Sequence, residues 1–138
     1  MSVTREDTPT LGELFHKAYE GTVDDEGETE LNALHEVTET FGGKYGDFSW
    51  TASLVSQIDR LLVSSSLVTL LRGFPLLAFT VTLPPYQNNG IGSHIISQSA
   101  ELLRDEGFHE LRLVVTRSNP AINLYRKLGF VEYDNGFR

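Results

Sequence analysis

The sequence predicts a mixed α/β (α+β) fold: an antiparallel meander, then a parallel strand–helix–strand unit, with helices flanking the sheet. Three observations predict it. Helix-period runs open the chain, the first through Leu11, Leu14, Phe15 and Ala18. From Thr51 the period changes to three apolar, β-branched runs separated by short turns. A glycine-bearing turn and a helical run, roughly Ser93 to Glu106, then separate the third of these runs from a fourth. That separation is too long for a hairpin, so the third and fourth strands should lie parallel through a right-handed crossover.

Taken in order, Met1 to Asp7 is polar around Val3 and offers at best a brief edge strand. Thr8-Pro9-Thr10 marks a helix start, with Thr8 as N-cap and Pro9 at the first helical position; Gly21 ends the run. Gly21 to Thr29 carries Asp24, Asp25, Glu26 and Glu28. Such a block is ordinarily a solvated loop; its functional reading is a pocket for a cationic substrate. Leu31, Leu34, His35, Thr38 and Phe41 are expected on one face of a second helix ending at Gly42-Gly43. His35 reads as a packed or partly exposed core histidine rather than a base, since nothing places it beside a nucleophile. Tyr45, Phe48 and Trp50 sit in a glycine-punctuated stretch, where core filling is the default and an acceptor wall the alternative.

The meander follows: a strand through Ala52, Leu54 and Ile58, a turn at Ile58-Asp59-Arg60, and a strand from Leu61 to Leu71. A turn at Arg72-Gly73-Phe74-Pro75 leads to a third strand, Leu76 to Leu83. This third run is apolar apart from Thr80 and Thr82, which predicts a central strand buried on both faces. Pro84-Pro85 stops it. After the glycine turn, Ile91, Ile95, Ser99, Leu102 and Leu103 mark one helix face and Gly107 a left-handed cap. Leu111 to Thr116 supplies the fourth strand, and Asn119-Pro120 opens a last helix carrying Ile122, Leu124, Tyr125 and Leu128, closed by Gly129. Phe130 to Tyr133 starts a further strand, so the first and last strands are reduced.

The 138 residues fit one domain, 1–138. At 40% apolar and 22% charged the chain can bury a core. A net charge of −8 argues against a nucleic-acid partner. Cysteine is absent, which removes a thiol nucleophile and thiolate zinc sites, and no metal is expected. No signal-like start and no apolar run of about 18 residues is present, so no membrane partner and a cytoplasmic location are expected.

The chemistry concentrates in Tyr86-Gln87-Asn88-Asn89-Gly90-Ile91-Gly92-Ser93. Two glycines at the mouth of a helix allow a tight turn and close backbone approach. The first-turn N–H groups lack intrahelical partners, and the helix dipole adds positive potential. Strand, glycine turn and helix together make a phosphate site. No arginine or lysine lies between Gln87 and Ser93, so binding would rest on amides and dipole. Ligands of open sheets favour strand carboxyl ends where strand directions change, here where Leu83 meets Gly90–Gly92 and faces Thr116 to Asn119.

Two stretches resemble the GNAT superfamily of N-acetyltransferases. Leu83-Pro84-Pro85-Tyr86-Gln87-Asn88-Asn89-Gly90-Ile91-Gly92 is similar to its coenzyme A signature, Q/R-x-x-G-x-G/A. Asn119-Pro120-Ala121-Ile122-Asn123-Leu124-Tyr125-Arg126-Lys127-Leu128-Gly129-Phe130 is similar to its second signature, N-x-x-A-x-x-L-Y-x-x-x-G-F, one residue shorter. The resemblance is specific over Leu76 to Tyr133. It implies a GNAT-like mixed sheet and an acetyltransferase that uses acetyl-CoA as cosubstrate, without metal, on an amine acceptor. The backbone of Val81, Thr82 and Leu83 would pair with the pantetheine arm, and a strand amide near Leu83 would face the developing oxyanion. Gln87 and the amides of Asn88, Asn89, Gly90, Ile91, Gly92 and Ser93 would receive the pyrophosphate. Asn119 would contact the pantetheine, and Tyr125 would return a proton to the departing thiolate. Asp25, Glu28 and Trp50 are the acceptor-side candidates. The third strand lacks the glutamate that some family members use as base, leaving a bound water, an acidic residue near Glu28 or Glu36, or a substrate that arrives already neutral. An unpaired sheet edge predicts a homodimer. The rival reading is a non-catalytic acyl-CoA-binding module.

Overall fold

The computed structural model describes residues 1–20, 29–115, 121–133 and 136–137, with residues 132, 133, 136 and 137 described by their backbone alone. A strand from Leu61 to Leu71 holds the molecule together. Its partners are Leu54–Ile58 and Asp47–Phe48 along one edge and Phe74–Thr82 along the other, all antiparallel. In chain order the helices are α1 (Thr8–Tyr19), α2 (Glu30–Phe41), α3 (Ile91–Asp105) and α4 (Ala121–Lys127). The strands are β1 (Asp47–Phe48), β2 (Leu54–Ile58), β3 (Leu61–Leu71), β4 (Phe74–Thr82), β5 (Glu132–Tyr133) and β6 (Gly136–Phe137).

α1 buries Leu11, Leu14, Phe15 and Ala18, as the helical spacing predicts. Its start differs by one residue. Thr8 takes the first helical position rather than the cap, because a short 3₁₀ turn over Arg5–Asp7 runs into the helix. The Asp7 carboxylate accepts from the Thr4 N–H at 2.8 Å and so secures that turn.

α2 begins as a capped helix, with Asn32 N–H donating to Thr29 Oγ1 at 3.2 Å. Its buried face is rotated from the expected one. Val37, Thr40 and Phe41 are buried, whereas Leu31, His35 and Thr38 are exposed. The close approach to α1 sets the rotation: a Cβ on Gly12 would stand 3.0 Å from Leu34 Cα. His35 therefore faces water and pairs with Glu39 at 2.7 Å, so it is not a core histidine.

Both hairpin loops have two residues with left-handed backbone, Asp59–Arg60 (φ 51° and 68°) and Arg72–Gly73 (φ 54° and 83°). Such turns match the twist of antiparallel strands. The second turn is tighter than expected, and Phe74 and Pro75 belong to β4. Pro75 pairs with Leu70, and its carbonyl points outward to accept from Arg112 N–H at 2.9 Å. The N–H that proline lacks would have pointed the same way, so β3 loses no bond.

The central strand is β3, not the apolar run after it. β3 is buried from Leu62 to Thr69, while β4 alternates between buried and half-buried positions. Three consecutive serines disguise β3 in the sequence. Inside, each hydroxyl is bonded: Ser64 Oγ donates to Val81 O, Ser65 Oγ to Leu54 O, and Ser66 Oγ lies 2.8 Å from Ser99 Oγ. Buried hydroxyls with partners are tolerated where bare ones are not.

Two apolar layers cover the sheet. α1 and α2 pack over one face through Leu11, Phe15, Val37, Leu67 and Val81. On the other face α3 and α4 pack Ile95, Ile96, Leu103 and Ile122 against Val68 and Leu77. Gly107 (φ 98°) closes α3, and Phe108 N–H donates back to Leu103 O.

At the edges, Met1–Val3 forms the brief strand expected, with Val3 N–H donating to Ser53 O and Val55 N–H to Met1 O. The fourth strand is parallel to β4, and among the described residues it is joined to β4 by one bridge, Leu76 with Arg112. β5 and β6 pair with each other in a separate hairpin.

Ser99 ties the helix behind the glycine turn to the sheet, donating to Ala52 O at 2.8 Å and accepting from Ser66. Ser99→Ala should lower stability by about 1–3 kcal/mol, since the buried Ser66 hydroxyl is left unpaired. The exposed Ser97→Ala should stay within about 0.5 kcal/mol in the same urea titration.

Candidate active site

β4 ends at Thr82, and Pro84–Tyr86 forms a 3₁₀ turn that reverses the chain. Gln87 closes the loop from within, its Nε2 donating to Thr82 O at 2.9 Å. Asn88 (φ 65°) and Gly90 (φ 79°, ψ 0°) then bring the backbone into α3. His94 N–H donates to Gly90 O at 3.0 Å, so the helical ladder begins there. The N–H groups of Ile91, Gly92 and Ser93 precede that bond and have no intrahelical partner. With Gln87 to Gly90 exposed, the turn presents its amides outward at the positive end of a 15-residue helix.

Each glycine has its own role. Nothing lies within 4 Å of a Cβ built on Gly90, so only its backbone angle demands glycine. A Cβ on Gly92 would sit 3.5 Å from Thr82 Oγ1 and 3.8 Å from Leu124 Cδ2. Gly92 therefore lies where β4, α3 and α4 converge.

The outer edge of β4 completes the site. Arg112 N–H donates to Pro75 O and Leu77 N–H to Arg112 O, and no further bridge joins these segments among the described residues. A register shift opposite Leu67/Val68 leaves Ala78 as an extra residue in β4. Bulges re-aim the strand and end pairing. Beyond it, Leu83 N–H donates to Val63 O, so Leu83 and Val81 turn their backbone toward β3. By alternation, Thr80 and Thr82 direct their N–H groups to the outer edge. The amide facing that edge at the end of the strand is thus Thr82's, while Leu83's is engaged inside the sheet.

Tyr125 lies on α4, 7% exposed in the α3/α4 core, its ring edge-on to Phe130 at 6.0 Å. Trp50 is held on the opposite face, against Phe41 and Phe48, with the Arg5 guanidinium 4.9 Å from its ring centre. Asp25, Glu28 and Asn119 lie outside the described residues. Among the described residues no group of three His, Asp or Glu could hold a metal ion. A cleft of about 640 Å³ borders the glycine turn from the β2 side, lined by Ser56, Gln57, Asn89, Gly90 and His94 among others.

One cluster was not assembled by the sequence. Tyr45 Oη donates to Glu36 Oε1 in a short hydrogen bond, and Lys44 Nζ reaches Glu36 Oε2 at 3.1 Å and Glu39 Oε2 at 3.0 Å. Burial, and then the Glu36 carboxylate, push the Tyr45 phenol above the ordinary tyrosine value. Hydrogen bonds to Glu39 and Glu36 hold the Lys44 ammonium above the ordinary lysine value. Glu36 and Tyr45 stand on separate elements, and no spacing rule brings them together.

Comparison with known proteins meets this geometry in two places. Residues 72–130 match the acetyltransferase (GNAT) family model, a span running from the β3–β4 turn to the residue after Gly129. In structure, the chain is similar to the PaiA N-acetyltransferase from Thermoplasma acidophilum in complex with coenzyme A. That match has a TM-score of 0.76 at 20% identity and covers 99% of this chain and 93% of that one. The fold is a GNAT fold. A GNAT family acetyltransferase from Brucella melitensis in complex with acetyl-CoA aligns with a TM-score of 0.68 at 20% identity, over 96% of this chain and 82% of that one. The ribosomal-protein-S18-alanine N-acetyltransferase from Escherichia coli aligns at 0.75 and 18% identity, over 99% and 86%. No curated protein matches the chain in sequence. The GNAT resemblance read from the two signatures therefore holds in family match and in fold.

The two glycines should respond in opposite directions to the same substitution. Gly90→Ala forces a left-handed alanine and should cost about 1–2 kcal/mol. Gly92→Ala adds a methyl in ordinary contact within a helix and should be neutral or gain up to about 1 kcal/mol. Urea midpoints of the two variants check this.

Proposed function

We propose that residues 1–138 act as one acyl-CoA-binding acyltransferase domain that moves an acetyl group from acetyl-CoA to a primary amine by direct attack. The observation that carries this reading is the junction of β4 with α3. An outward amide turn at a helix mouth stands at the end of a strand whose outer edge is joined to its neighbour, among the described residues, only at Leu76. One end suits a pyrophosphate, and the edge suits an extended, amide-bearing arm added like a strand. The open space at Gly90 and the nearness of Thr82 and Leu124 to a Cβ built on Gly92 fit that ligand.

In this reading Gln87 and the amides of Asn88, Asn89, Gly90, Ile91, Gly92 and Ser93 hold the pyrophosphate. Val81, Thr82 and Leu83 line the arm, with Thr82 N–H the group aimed at it. Asn119 contacts the arm from the neighbouring segment. Acetyl-CoA supplies the activated thioester. An amine attacks its carbonyl, the C–S bond breaks, and Tyr125 protonates the leaving thiolate. Asp25, Glu28 and Trp50 serve the acceptor side, where negative charge would favour a cationic amine. An acidic, cysteine-free composition suits a cytoplasmic setting. A non-catalytic acyl-CoA-binding module is favoured by one observation, that Phe74–Thr82 contains no carboxylate; thiol release with any amine rules it out.

Acetyl-CoA at a hundredfold excess over its Kd should stabilise the protein by about 2.7 kcal/mol, read as a rise in Tm. Gly92→Glu should abolish the rise by placing a carboxylate among the loop amides. Tyr125→Phe should keep it and slow thiol release by about 10²-fold or more. No rise with the unaltered protein overturns the assignment, and unchanged turnover removes Tyr125 as the acid.

A homodimer that completes the sheet fits the short Met1–Val3 strand, whose hydrogen bonds cover β2 only as far as Val55. Light scattering at micromolar concentration should give twice the chain mass. A monomer mass removes this proposal.

A further inference from the structure

The donor side leaves one question of chemistry, which is where the proton of the attacking amine goes. β4 carries no carboxylate along Phe74–Thr82. The arm of the donor, bound along β4 from Thr82, would reach Ala78 after four strand residues, about 13 Å. The thioester therefore belongs beside Ala78 and Phe79.

Tyr45 reaches this place from across the sheet. Its backbone stands at the β1 edge, where Thr69 Oγ1 donates to its carbonyl at 2.9 Å. Its ring crosses β3 to meet Phe79 of β4 edge-on, 5.6 Å between centres and 74° between planes. Phe79 in turn packs on Phe15 of α1 at 5.0 Å. The phenol is hydrogen-bonded to Glu36 of α2, whose other oxygen faces Lys44. An ionisable pair thus hangs over the helix-covered face one ring away from the bulge.

A second observation points to access from the same side. Leu111 and Leu113 are buried against α3 and α4, so alternation turns Arg112 and Val114 to the face that holds Phe79 and Tyr45. Val114 is 76% exposed there. Among the described residues, that face thus offers an exposed apolar side chain, Val114, for the stem of an aliphatic amine.

Resting on the acetyltransferase reading, we propose that Tyr45 and Glu36 form the proton relay for the acceptor amine, which approaches over Phe79 and Val114. An ammonium acceptor first sheds one proton to water. As the C–N bond forms and the C–S bond breaks, the amine N–H proton passes to Tyr45 Oη while the Tyr45 proton passes to the Glu36 carboxylate. The leaving thiolate takes its proton from Tyr125, Tyr125 regains one from water and Glu36 returns one to water, so each turnover releases one net proton, that of the ammonium. Lys44 Nζ stands 3.1 Å from the other Glu36 oxygen. The other titratable groups around the pair are Glu39, which shares Lys44, and His35 on Glu39; β4 and α1 face Tyr45 with Phe79 and Phe15. Tyr19 lies beyond Phe15 at 6.1 Å.

The test uses the full chain, acetyl-CoA, and spermidine, kanamycin and an alanine-initiated peptide as acceptors, followed by thiol release from pH 5 to 10. Tyr45→Phe keeps the ring on Phe79 and removes the hydroxyl. Glu36→Gln keeps the shape and removes the base. Each should leave the acetyl-CoA rise in Tm intact and lower kcat/KM by about 10²-fold. Glu36→Gln should also abolish the acid limb of the pH profile. Glu13→Gln, which breaks an exposed ion pair with Lys17 on α1, should change neither. Turnover by both variants within threefold of the unaltered protein overturns the relay and leaves the acetyltransferase reading standing. A loss of rate with an unchanged acid limb, or with a lost acetyl-CoA rise, shows a structural role and also overturns it. An unaltered protein that binds acetyl-CoA and acetylates none of the three acceptors overturns the transferase reading and the relay together.

Discussion

β4 is hydrogen-bonded to β3 from Phe74 to Thr82, but among the described residues to the segment after α3 only at Leu76, and the site is built around that asymmetry. Backbone groups on an open edge must find water or a ligand. The bulge at Ala78 re-aims the strand just beyond the bridge at Leu76, and the proline turn at Pro84 stops the strand. The stretch beyond it is held rigid because its inner side is locked to β3. An extended ligand can pair with it at little conformational cost.

The two faces of the sheet divide the work. The face under α3 and α4 is knitted to the glycine turn, since Ser99 anchors α3 to Ala52 and Ser66 while a Cβ on Gly92 would come within 3.8 Å of Thr82 and Leu124. The opposite face carries the aromatic row from Tyr19 through Phe15 and Phe79 to Tyr45, and ends at the Glu36 carboxylate. A reaction at the outer edge of β4 would thus meet its donor from one face and its acceptor from the other. The bulge itself supports this division, because the extra residue lets Leu77 bond outward while Val81 and Leu83 turn inward.

Local chemistry was legible wherever neighbours in sequence set the geometry. The helix through Leu11 and Phe15, the meander, the cap at Gly107 and the helix-mouth turn at Gly90 all depend on residues a few positions apart. Their periodicity, glycines and prolines suffice. The GNAT resemblance drew on the same local signatures, and the family match falls across them. Errors arose where burial depends on distant partners. The serines of β3 read as polar, yet the carbonyls of Leu54 and Val81 and the hydroxyl of Ser99 let them lie at the centre of the sheet. Leu31 and His35 fit a helical face, but the approach of Gly12 to Leu34 turned that face to water.

By itself, then, the sequence determined the order of elements, the meander, and a glycine-bearing turn between strand and helix, because each is fixed by short-range dihedral and hydrogen-bond preferences. Only the tertiary structure decided which strand is central, which β4 amides face outward, and that Tyr45 stands on Phe79 with its hydroxyl on Glu36. Those depend on contacts between residues far apart in the chain, whose geometry follows from how whole layers pack, and no local pattern encodes it.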